Sequence, residues 1–335
     1  MKIRIGINGF GRIGRLVFRS AFNREDVEIV GINDLMPVET LAHLLKYDSV
    51  YGKFPFEVFS GNSKLHIGST DIPVFSYRDP SDLPWGEMNV DYVVESTGIF
   101  RTKEAASSHI KAGAKRVIIS APGAGEIDGT FVMGVNHETF DPEKDVIVSN
   151  ASCTTNCLAP IAKVLNDNYG IEEGLMTTIH AYTAGQNLID GPNKDLRRAR
   201  SAALNIVPTT TGAAKAIGVV LPELQGKLNG MSIRVPTPTV SLVDLTVKVQ
   251  NLPKDTTEVN SKFEYASKNE LAGILGYEET PLVSKDFEGD PRSSILDSAS
   301  TYVMGSLIKV LSWYDNETGY ATRVVDLAEY MAENE

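Results

Sequence analysis

The sequence predicts an α/β fold of two domains, a doubly wound parallel sheet followed by an α+β domain with a mainly antiparallel or mixed sheet. Strand-like and helix-like segments alternate through the first 150 residues, as in parallel sheets with crossover helices. From Thr177 the β-runs are longer, for example at 240–250 and 302–314, and fewer helices intervene. We expect a first domain over residues 1–150, completed by a C-terminal helix over 317–335, and a second domain over residues 151–316.

Composition and charge narrow the class of protein. The chain has 335 residues, of which 42% are hydrophobic and 22% are charged, without an apolar run of the roughly 18 to 20 residues that span a bilayer. The formal net charge of −11 opposes attraction to nucleic acids and anionic membranes. Two cysteines are too few for a disulfide scaffold and suit a reducing compartment. We therefore expect a cytoplasmic protein that acts on small molecules, with no nucleic acid, membrane or metal partner.

A glycine-rich turn marks the first βα unit. A predicted strand meets the sequence G-F-G-R-I-G at residues 9–14, after which apolar residues begin an amphipathic helix. Gly9, Gly11 and Gly14 allow a tight turn, close approach of the backbone to a pyrophosphate, and close packing of helix on strand. The helix N-terminus offers its N–H groups to phosphate. In this setting the motif predicts a Rossmann-type dinucleotide site.

An acidic residue at the end of the second predicted strand supports this interpretation. Asp34 follows Gly14 by 20 residues, where a carboxylate can accept hydrogen bonds from both ribose hydroxyls of an adenosine. The same charge would repel a 2′-phosphate, so NAD is expected before NADP. The alternative is a structural glycine turn followed by a solvated aspartate.

Further cofactor neighbours are expected at the carboxyl ends of later strands, because ligands of open parallel sheets bind there. Thr97, Ser120 and Ala121 follow such strands. Arg78 follows an apolar strand and could reach the adenine side of the cofactor, although an exposed loop arginine is equally consistent with the sequence.

The chemistry is expected within the sequence S-N-A-S-C-T-T-N-C at residues 149–157. A β-run ends there and a helix begins, which places Cys153 in a first turn whose free N–H groups and dipole stabilise a thiolate. His180 ends a β-run 27 residues later and could act as the base partner. Cys157 lies one helical turn deeper and is expected to be structural. The alternative is a structural role for Cys153 too, because free cysteines are often buried.

An anion site is expected farther along the chain. An irregular segment carries Arg197, Arg198 and Arg200, and it precedes a T-T-T-G turn at 209–212 that opens a helix. Guanidinium groups and a helix N-terminus suit phosphate recognition, and Arg234 on a later strand supplies another guanidinium. The alternative to an anion site is that the arginine cluster forms a solvated surface or a subunit contact.

Seven motifs, in order from about residue 2 to the C-terminus, resemble those of the phosphorylating glyceraldehyde-3-phosphate dehydrogenases. They read N-G-F-G-R-I-G-R, A-S-C-T-T-N-C, H-A-Y-T, D-L-R-R-A-R, T-T-T-G-A-A-K-A, R-V-P-T-P and S-W-Y-D-N-E-T-G-Y. The resemblance implies a homotetramer that oxidises D-glyceraldehyde 3-phosphate with NAD and inorganic phosphate to 1,3-bisphosphoglycerate, reversibly, in glycolysis or gluconeogenesis. It also implies that the last helix returns to the first domain.

The resemblance assigns roles to the matching positions. Cys153 is implied as the nucleophile and His180 as its partner. The groups implied to hold substrate and phosphate are Ser152, Thr154, Thr183, Thr211, Gly212, Arg234 and one of Arg198 and Arg200, between which the motifs do not decide. The residues implied to contact NAD are Arg12, Ile13, Asp34, Arg78, Ser120 and, at the nicotinamide amide, Asn316.

The expected mechanism is covalent. A Cys153 thiolate, whose pKa is lowered by a protonated His180, adds to the aldehyde to give a hemithioacetal; hydride transfer leaves a thioester, and phosphate releases the acyl group. The nearest alternative is erythrose-4-phosphate dehydrogenase, a sister family whose phosphate turn departs from the T-T-T-G-A-A kept here. An alternative from a different functional class is a thiol redox sensor or a non-enzymatic binding protein with the same fold, since fold alone does not determine function.

Overall fold

The computed structural model describes residues 2–335, which form two compact units. One unit holds the chain through Phe131 together with His137–Ala151 and Ala321–Glu335, and the other holds Val132–Asn136 and Ser152–Tyr320. Within residues 2–335, no helix combines the length and the apolar character needed to cross a membrane.

A nine-stranded sheet organises the first unit. In chain order its elements are β1 (Ile3–Asn8), α1 (Arg12–Ala21), β2 (Val27–Asn33), α2 (Val38–Lys46), β3 (Tyr47–Asp48), β4 (Gly52–Lys53), β5 (Val58–Gly61), β6 (Lys64–Ile67), β7 (Thr70–Phe75), β8 (Tyr92–Glu95), α3 (Lys103–Lys111), β9 (Arg116–Ile119), β10 (Gly129–Thr130) and β11 (Ile147–Ser149). The large sheet has the order β10-β11-β9-β8-β1-β2-β7-β6-β5, and β3 pairs with β4 separately. Neighbours from β10 to β7 are parallel, whereas β7, β6 and β5 are antiparallel. The predicted parallel α/β domain is confirmed.

The central strands of this sheet are buried, and their sequences explain why. β1 reads I-R-I-G-I-N and β8 reads Y-V-V-E, and the side chains of Ile5, Ile7 and Val94 are fully buried. Near-continuous apolar runs are typical of parallel strands that are covered on both faces. The carboxyl ends of the strands meet at one edge, where β1 is in register with β2 and β8 at Asn8. This edge carries the polar residues of the candidate cofactor site.

The second unit contains a seven-stranded mixed sheet. Its elements are α4 (Cys153–Tyr169), β12 (Ile171–Ala181), β13 (Val207–Thr209), α5 (Ala213–Val220), β14 (Leu228–Val235), β15 (Ser241–Val249), α6 (Thr256–Lys268), β16 (Leu275–Glu278), β17 (Ser294–Met304) and β18 (Leu307–Tyr314). The last helix, α7 (Thr318–Glu333), belongs to the first unit from Ala321 onward. The sheet order is β13-β14-β12-β15-β18-β17-β16. β12 with β14 and β16 with β17 are parallel pairs, and the other neighbours are antiparallel. The predicted mixed sheet is confirmed.

The β-run at 302–314 is expected to be one strand, but the chain reverses within it. β17 ends at Met304 and β18 begins at Leu307, and Gly305 between them has a φ of 60°, which glycine adopts without strain. Met304 then pairs with Leu307 across the turn. The single-strand prediction is wrong because the apolar pattern continues on both sides of a glycine turn.

Helix α4 forms the core of the second unit. It packs against β15, β17 and β18, and Leu158, Ile161 and Leu165 on its apolar side are fully buried. Burial of such side chains stabilises the fold by about 1.5–3 kcal/mol each. The first turn of α4 is therefore held in place by a helix that cannot shift without opening the core.

Candidate functional site

The glycine-rich turn of the first unit has the geometry that a pyrophosphate requires. Gly9 has a φ of 92°, and a Cβ there would lie 2.7 Å from the backbone nitrogen of Thr97. A Cβ on Gly14 would lie 2.0 Å from the carbonyl oxygen of Gly9, so α1 packs on the turn only because Gly14 lacks a side chain. Gly11 is the N-cap of α1, and no atom lies within 4 Å of where its Cβ would be. An anion can therefore approach the helix N-terminus closely.

Asp34 lies beside this turn, in a cleft of about 540 Å³. Its carboxylate accepts hydrogen bonds from the backbone N–H groups of Phe10 at 2.7 Å and Met36 at 2.9 Å. Each oxygen takes one N–H and keeps a lone pair for a further donor. Arg78 and Thr97 line the same cleft. The open turn fits the pyrophosphate of a dinucleotide such as NAD, and the acceptor oxygens of Asp34 fit its diol.

The other expected cofactor residues of the first unit have partners within the protein. Arg12, at the start of α1, forms an ion pair with Asp48 at 2.6 Å, and Ile13 beside it is half-buried. The hydroxyl of Ser120 donates to the backbone carbonyl of Glu95 at 3.1 Å. The ends of β9 and β8 are thus joined at the edge where a ligand would bind.

Asn316 belongs to the second unit, where its amide has a defined orientation. The hydroxyl oxygen of Ser241 accepts from the backbone N–H of Ala181 at 3.1 Å and lies 2.8 Å from Oδ1 of Asn316. Because the serine has a single hydrogen to donate, that hydrogen goes to Oδ1 and the NH₂ group of Asn316 remains a donor. Ser241 was not expected from the sequence, and Val240 before it has a φ of 63°.

Cys153 is the first residue of α4, as the sequence predicts. Ser152 is the N-cap, and its hydroxyl oxygen accepts from the backbone N–H of Thr155 at 3.0 Å. Ala151 before it has a φ of 55°, an uncommon backbone conformation for a residue with a side chain. Strained positions of this kind recur at active sites, where the surrounding fold holds them. The structure thus fixes the direction in which the thiol leaves the backbone.

The thiol of Cys153 is in contact with the imidazole of His180. Sγ of Cys153 lies 3.6 Å from Nε2 of His180, near the end of β12. Burial raises the pKa of the Cys153 thiol, and the Arg234 guanidinium and hydrogen bonds from Thr154 and from the Cys153 backbone lower it only in part. Burial, and then Arg234, lowers the pKa of His180 to about 3. Burial thus disfavours the charged form of both groups, which is opposite in direction to the lowered Cys153 pKa expected from the sequence.

Two groups meet Nδ1 of His180 and require opposite tautomers. The carbonyl oxygen of Ala181 lies 2.7 Å away and accepts a hydrogen from Nδ1, whereas Nη1 of Arg234 lies 2.8 Å away and donates to a lone pair there. Nη1 also donates to the carbonyl oxygen of Ala181 at 3.0 Å. With the hydrogen on Nδ1, Nε2 faces Cys153 as an acceptor; with the hydrogen on Nε2, it faces Cys153 as a donor.

The structure separates the two arginines between which the motifs did not decide. Arg198 donates from Nε to the hydroxyl of Thr209 at 3.0 Å and from Nη2 to the carbonyl of Thr210 at 3.4 Å. Arg200 instead pairs with Asp190 at 2.6 Å, and more than half of each of these two side chains is exposed. Of the two, Arg198 is the arginine that lies against the T-T-T-G turn.

The T-T-T-G turn ends in an exposed helix start. Gly212 is the exposed N-cap of α5, and the hydroxyl oxygen of Thr211 accepts from the backbone N–H of Ala213 at 3.2 Å. Thr183, two residues after β12 ends, is also exposed. Hydroxyl and N–H groups at a helix start can bind a phosphate.

Thr154, which is expected to hold substrate or phosphate, has its hydroxyl in a buried hydrogen-bond network. Its hydroxyl lies 2.9 Å from the phenol oxygen of Tyr314, which lies 2.8 Å from the hydroxyl of Thr178. Thr154 and Tyr314 are buried, and the Tyr314 ring stands edge-on to the ring of His180 at 6.0 Å. Thr154 therefore supports the site from the core side. Tyr314 was missed because nothing in its local sequence connects it with residues 160 positions earlier.

Cys157 is fully buried, with Sγ 3.6 Å from the hydroxyl of Ser294. Burial raises the pKa of this thiol to about 12, which opposes thiolate formation. In the described residues, 2–335, no group of three or more His, Cys, Asp or Glu side chains could hold a metal ion.

Comparisons with known proteins give the family of the chain. Residues 3–103 match a family model described as glyceraldehyde 3-phosphate dehydrogenase, NAD binding domain, and residues 152–316 match the model for the C-terminal domain of the same family. The chain is 57% identical to the glyceraldehyde-3-phosphate dehydrogenase of Geobacillus stearothermophilus, covering 99% of both chains. It is 58% identical to glyceraldehyde-3-phosphate dehydrogenase 1 of Bacillus cereus, covering 98% of both, and 56% identical to that of Trichormus variabilis, covering 100% of this chain and 98% of the relative.

Proposed function

The chain belongs to the glyceraldehyde-3-phosphate dehydrogenase family and is an NAD-dependent enzyme of that kind, and we propose that it works through a covalent intermediate on Cys153. The reaction is the reversible oxidation of D-glyceraldehyde 3-phosphate with inorganic phosphate to 1,3-bisphosphoglycerate. The observation that carries the covalent mechanism is the 3.6 Å contact between Sγ of Cys153 and Nε2 of His180 in the first turn of α4.

His180 acts first as a base. With its hydrogen on Nδ1, directed at the Ala181 carbonyl, the neutral imidazole presents a lone pair at Nε2 to the thiol. Nε2 takes the thiol proton as the S–C bond to the aldehyde forms, and the proton returns to the oxygen to give a hemithioacetal. The backbone N–H of Cys153 supports the negative charge that develops on that oxygen.

The hemithioacetal is then oxidised. His180 takes the hydroxyl proton at Nε2 as the carbonyl forms, and NAD, when bound, supplies the acceptor for the hydride at its nicotinamide C4. A thioester remains on Cys153. An oxygen of inorganic phosphate attacks its carbonyl carbon, the C–S bond breaks, and the thiolate leaves and recovers its proton from His180.

The residues that would hold NAD are those of the cleft and its edge. The open N-terminus of α1 at Gly11 would take the pyrophosphate, and Asp34 would accept the adenosine ribose hydroxyls. Arg12, Ile13, Arg78, Thr97 and Ser120 would surround these groups. The oriented NH₂ group of Asn316 would donate to the carboxamide oxygen of the nicotinamide.

Phosphate groups are assigned to the arginines that lie near the turn or the imidazole. Arg198, which donates to the T-T-T-G turn, and Arg234, which donates to the His180 ring, hold the substrate phosphate and inorganic phosphate. Thr183, Thr211 and Gly212 offer further donors. Arg200 has no role in phosphate binding in this assignment, because its guanidinium pairs with Asp190 at the surface.

The wider setting follows the family resemblance. Residues 1–150 with 317–335 serve as the NAD-binding domain and residues 151–316 as the catalytic domain of a cytoplasmic homotetramer without a nucleic acid or membrane partner. Leu188, Leu196 and Leu204, each about four-fifths exposed, support a subunit contact through the arginine loop, because monomers rarely expose such patches. Sedimentation velocity should give a tetramer, and Leu196→Lys should lower its mass.

Formation of NADH tests the proposed function. Absorbance should rise on mixing the protein with aldehyde, NAD and phosphate, and should continue past a single turnover only when phosphate is present. No rise under these conditions would favour a binding protein or a redox sensor. Catalytic efficiencies on D-glyceraldehyde 3-phosphate and erythrose 4-phosphate should favour the triose, and the opposite preference would identify the sister enzyme.

A further inference from the structure

A buried acid and a buried imidazole meet beside the dinucleotide cleft. Glu95 is the last residue of β8 and His109 lies in α3, and neither side chain has exposed surface. Oε2 of Glu95 lies 3.0 Å from Nε2 of His109. The mechanism proposed above uses neither side chain, yet a buried carboxyl group is costly unless it is fully hydrogen-bonded.

The hydrogen bonds determine which atoms carry hydrogen. Nε1 of Trp85 lies 3.1 Å from Nδ1 of His109. Because an indole nitrogen only donates, Nδ1 is an acceptor, and the imidazole hydrogen on Nε2 is donated to Glu95. Nδ2 of Asn8 donates to the same oxygen at 2.6 Å, and Thr97 donates to Oε1 from its backbone N–H at 2.8 Å and from its hydroxyl. Four donors thus converge on the two oxygens of Glu95.

The chain of hydrogen bonds continues into the cleft. Because Nδ2 of Asn8 faces Glu95, Oδ1 of Asn8 faces the other way and accepts from Nδ2 of Asn33 at 2.7 Å. Oδ1 of Asn33 in turn accepts from the backbone N–H of Tyr77 at 2.9 Å. Asn8, Asn33, Tyr77 and Thr97 all line the cleft. Nδ2 of Asn33 also donates to the carbonyl oxygen of Tyr77 at 3.0 Å, so the Tyr77 backbone fixes the Asn33 amide. The orientation of Asn8, between Asn33 and Glu95, depends on the acceptor at Glu95.

We propose that Glu95, held by His109, is a positioning residue for the dinucleotide: it sets the orientation of Asn8, and so the hydrogen bond by which Asn8 holds Asn33 in the wall of the cleft. Glu95 cannot touch a ligand itself, because its side chain has no exposed surface. Its influence reaches the cleft through Asn33, which adjoins Asp34, and Tyr77, which adjoins Arg78. The inference rests on the proposed NAD site and adds two residues that the family motifs did not indicate.

Glu95→Gln tests the proposal with almost no change in shape. The new side-chain amide has an NH₂ group at one of the two oxygen positions. At the Oε2 position it would face the donors of Asn8 and His109, and at the Oε1 position it would face the backbone N–H of Thr97. Either orientation opposes a donor to a donor. In the first, the Asn8 amide can relieve the conflict only by turning and losing its bond to Asn33; in the second, the backbone of Thr97 in the cleft loses its acceptor.

Isothermal titration calorimetry gives a readout that does not depend on activity. We expect Glu95→Gln to raise the Kd for NAD at least about tenfold, and to weaken ADP-ribose in parallel because the chain ends on the adenosine side. Glu28→Gln, which removes an exposed carboxylate from β2 of the same sheet, should stay within about twofold of the unmodified protein. Equal NAD affinity of Glu95→Gln and the unmodified protein would overturn the proposal.

His109 supplies a second test if Glu95→Gln does not fold. His109→Gln keeps an N–H donor for Glu95 and should bind NAD within about threefold of the unmodified protein, whereas His109→Leu should weaken NAD at least about fivefold. Equal affinity of the two His109 variants would also overturn the proposal. Alkylation of Cys153 should proceed at the same rate in all of them. If the unmodified protein did not bind NAD, the proposed function would be contradicted. Failure of the proposed function is therefore distinguishable from failure of the Glu95 proposal.

Discussion

Nε2 of His180 lies 3.6 Å from Sγ of Cys153, although 27 residues separate them along the chain. β12 carries the imidazole to the first turn of α4, and Arg234 contacts the opposite nitrogen of the ring. Burial favours the uncharged forms of both the thiol and the imidazole, while the guanidinium of Arg234 contributes a positive charge. The 3.6 Å contact places the imidazole where it can exchange a proton with the thiol.

His180→Asn should slow acylation while leaving cofactor binding intact. Asparagine is of similar size but cannot take a proton, so the single-turnover rate of NADH formation should fall by about 10²- to 10⁴-fold. The Kd for NAD should change little, because the residues assigned to adenosine and pyrophosphate lie in the first unit. His43→Asn, on an exposed position of α2, controls for loss of an imidazole. An unchanged acylation rate in His180→Asn would show that His180 takes no part in acylation.

The depressed pKa of His180 predicts an acid-dependent loss of stability. Its pKa is about 3 in the folded protein against an ordinary value of 6.5, so the unfolded chain binds the proton first as the pH falls. The stability that neutral His180 contributes is full above pH 6.5 and is lost as the pH falls toward 3. Between pH 7 and pH 4.5 the unmodified protein should lose on the order of 2 to 3 kcal/mol more than His180→Asn, measured by urea unfolding. An imidazole NMR signal of His180 that titrates near pH 6.5 would contradict this.

Asp34 should decide between the two nicotinamide cofactors. Its carboxylate lies in the cleft and would repel a 2′-phosphate, so we expect NAD to be favoured over NADP at least about tenfold, or roughly 1.4 kcal/mol. Asp34→Ala should narrow the ratio of the two catalytic efficiencies, mainly by weakening NAD. Equal use of NADP by the unmodified protein would show that Asp34 does not read the ribose.

Arg198 and Arg200 form a matched pair for testing the phosphate site. Arg198→Ala should raise the KM for glyceraldehyde 3-phosphate or for inorganic phosphate at least about tenfold, because a charge-assisted hydrogen bond is worth about 1.5–3 kcal/mol. Arg200→Ala removes only an exposed ion pair with Asp190 and should change either KM much less. A larger effect at Arg200 would reverse the assignment.

Local sequence was sufficient where a motif's neighbours lie along the chain. The glycine turn, the helix that starts at Cys153 and the helix that follows Gly212 depend on residues within a few positions of one another, and all three are found as predicted. The strand prediction at 302–314 was wrong because apolar alternation alone does not reveal a glycine turn.

Groups that meet only in the folded chain could not be predicted from local patterns. Tyr314 reaches Thr154 across 160 residues, and Asn8 reaches Glu95 across 87. The sign of the Cys153 pKa shift depends on how deeply the site is buried, which a helix start alone does not indicate. The choice between Arg198 and Arg200 likewise depends on side-chain direction in an irregular loop.

The most direct test of the account is the acyl-enzyme itself. The protein is mixed with NAD and glyceraldehyde 3-phosphate without phosphate, quenched in acid and analysed by peptide mass spectrometry. We predict a burst of about one NADH per chain and a phosphoglyceroyl group on Cys153 that disappears when phosphate is added before the quench. Cys157→Ser should behave in the same way, and Cys153→Ser should show neither burst nor adduct. An adduct on another residue, or a full burst from Cys153→Ser, would contradict the mechanism.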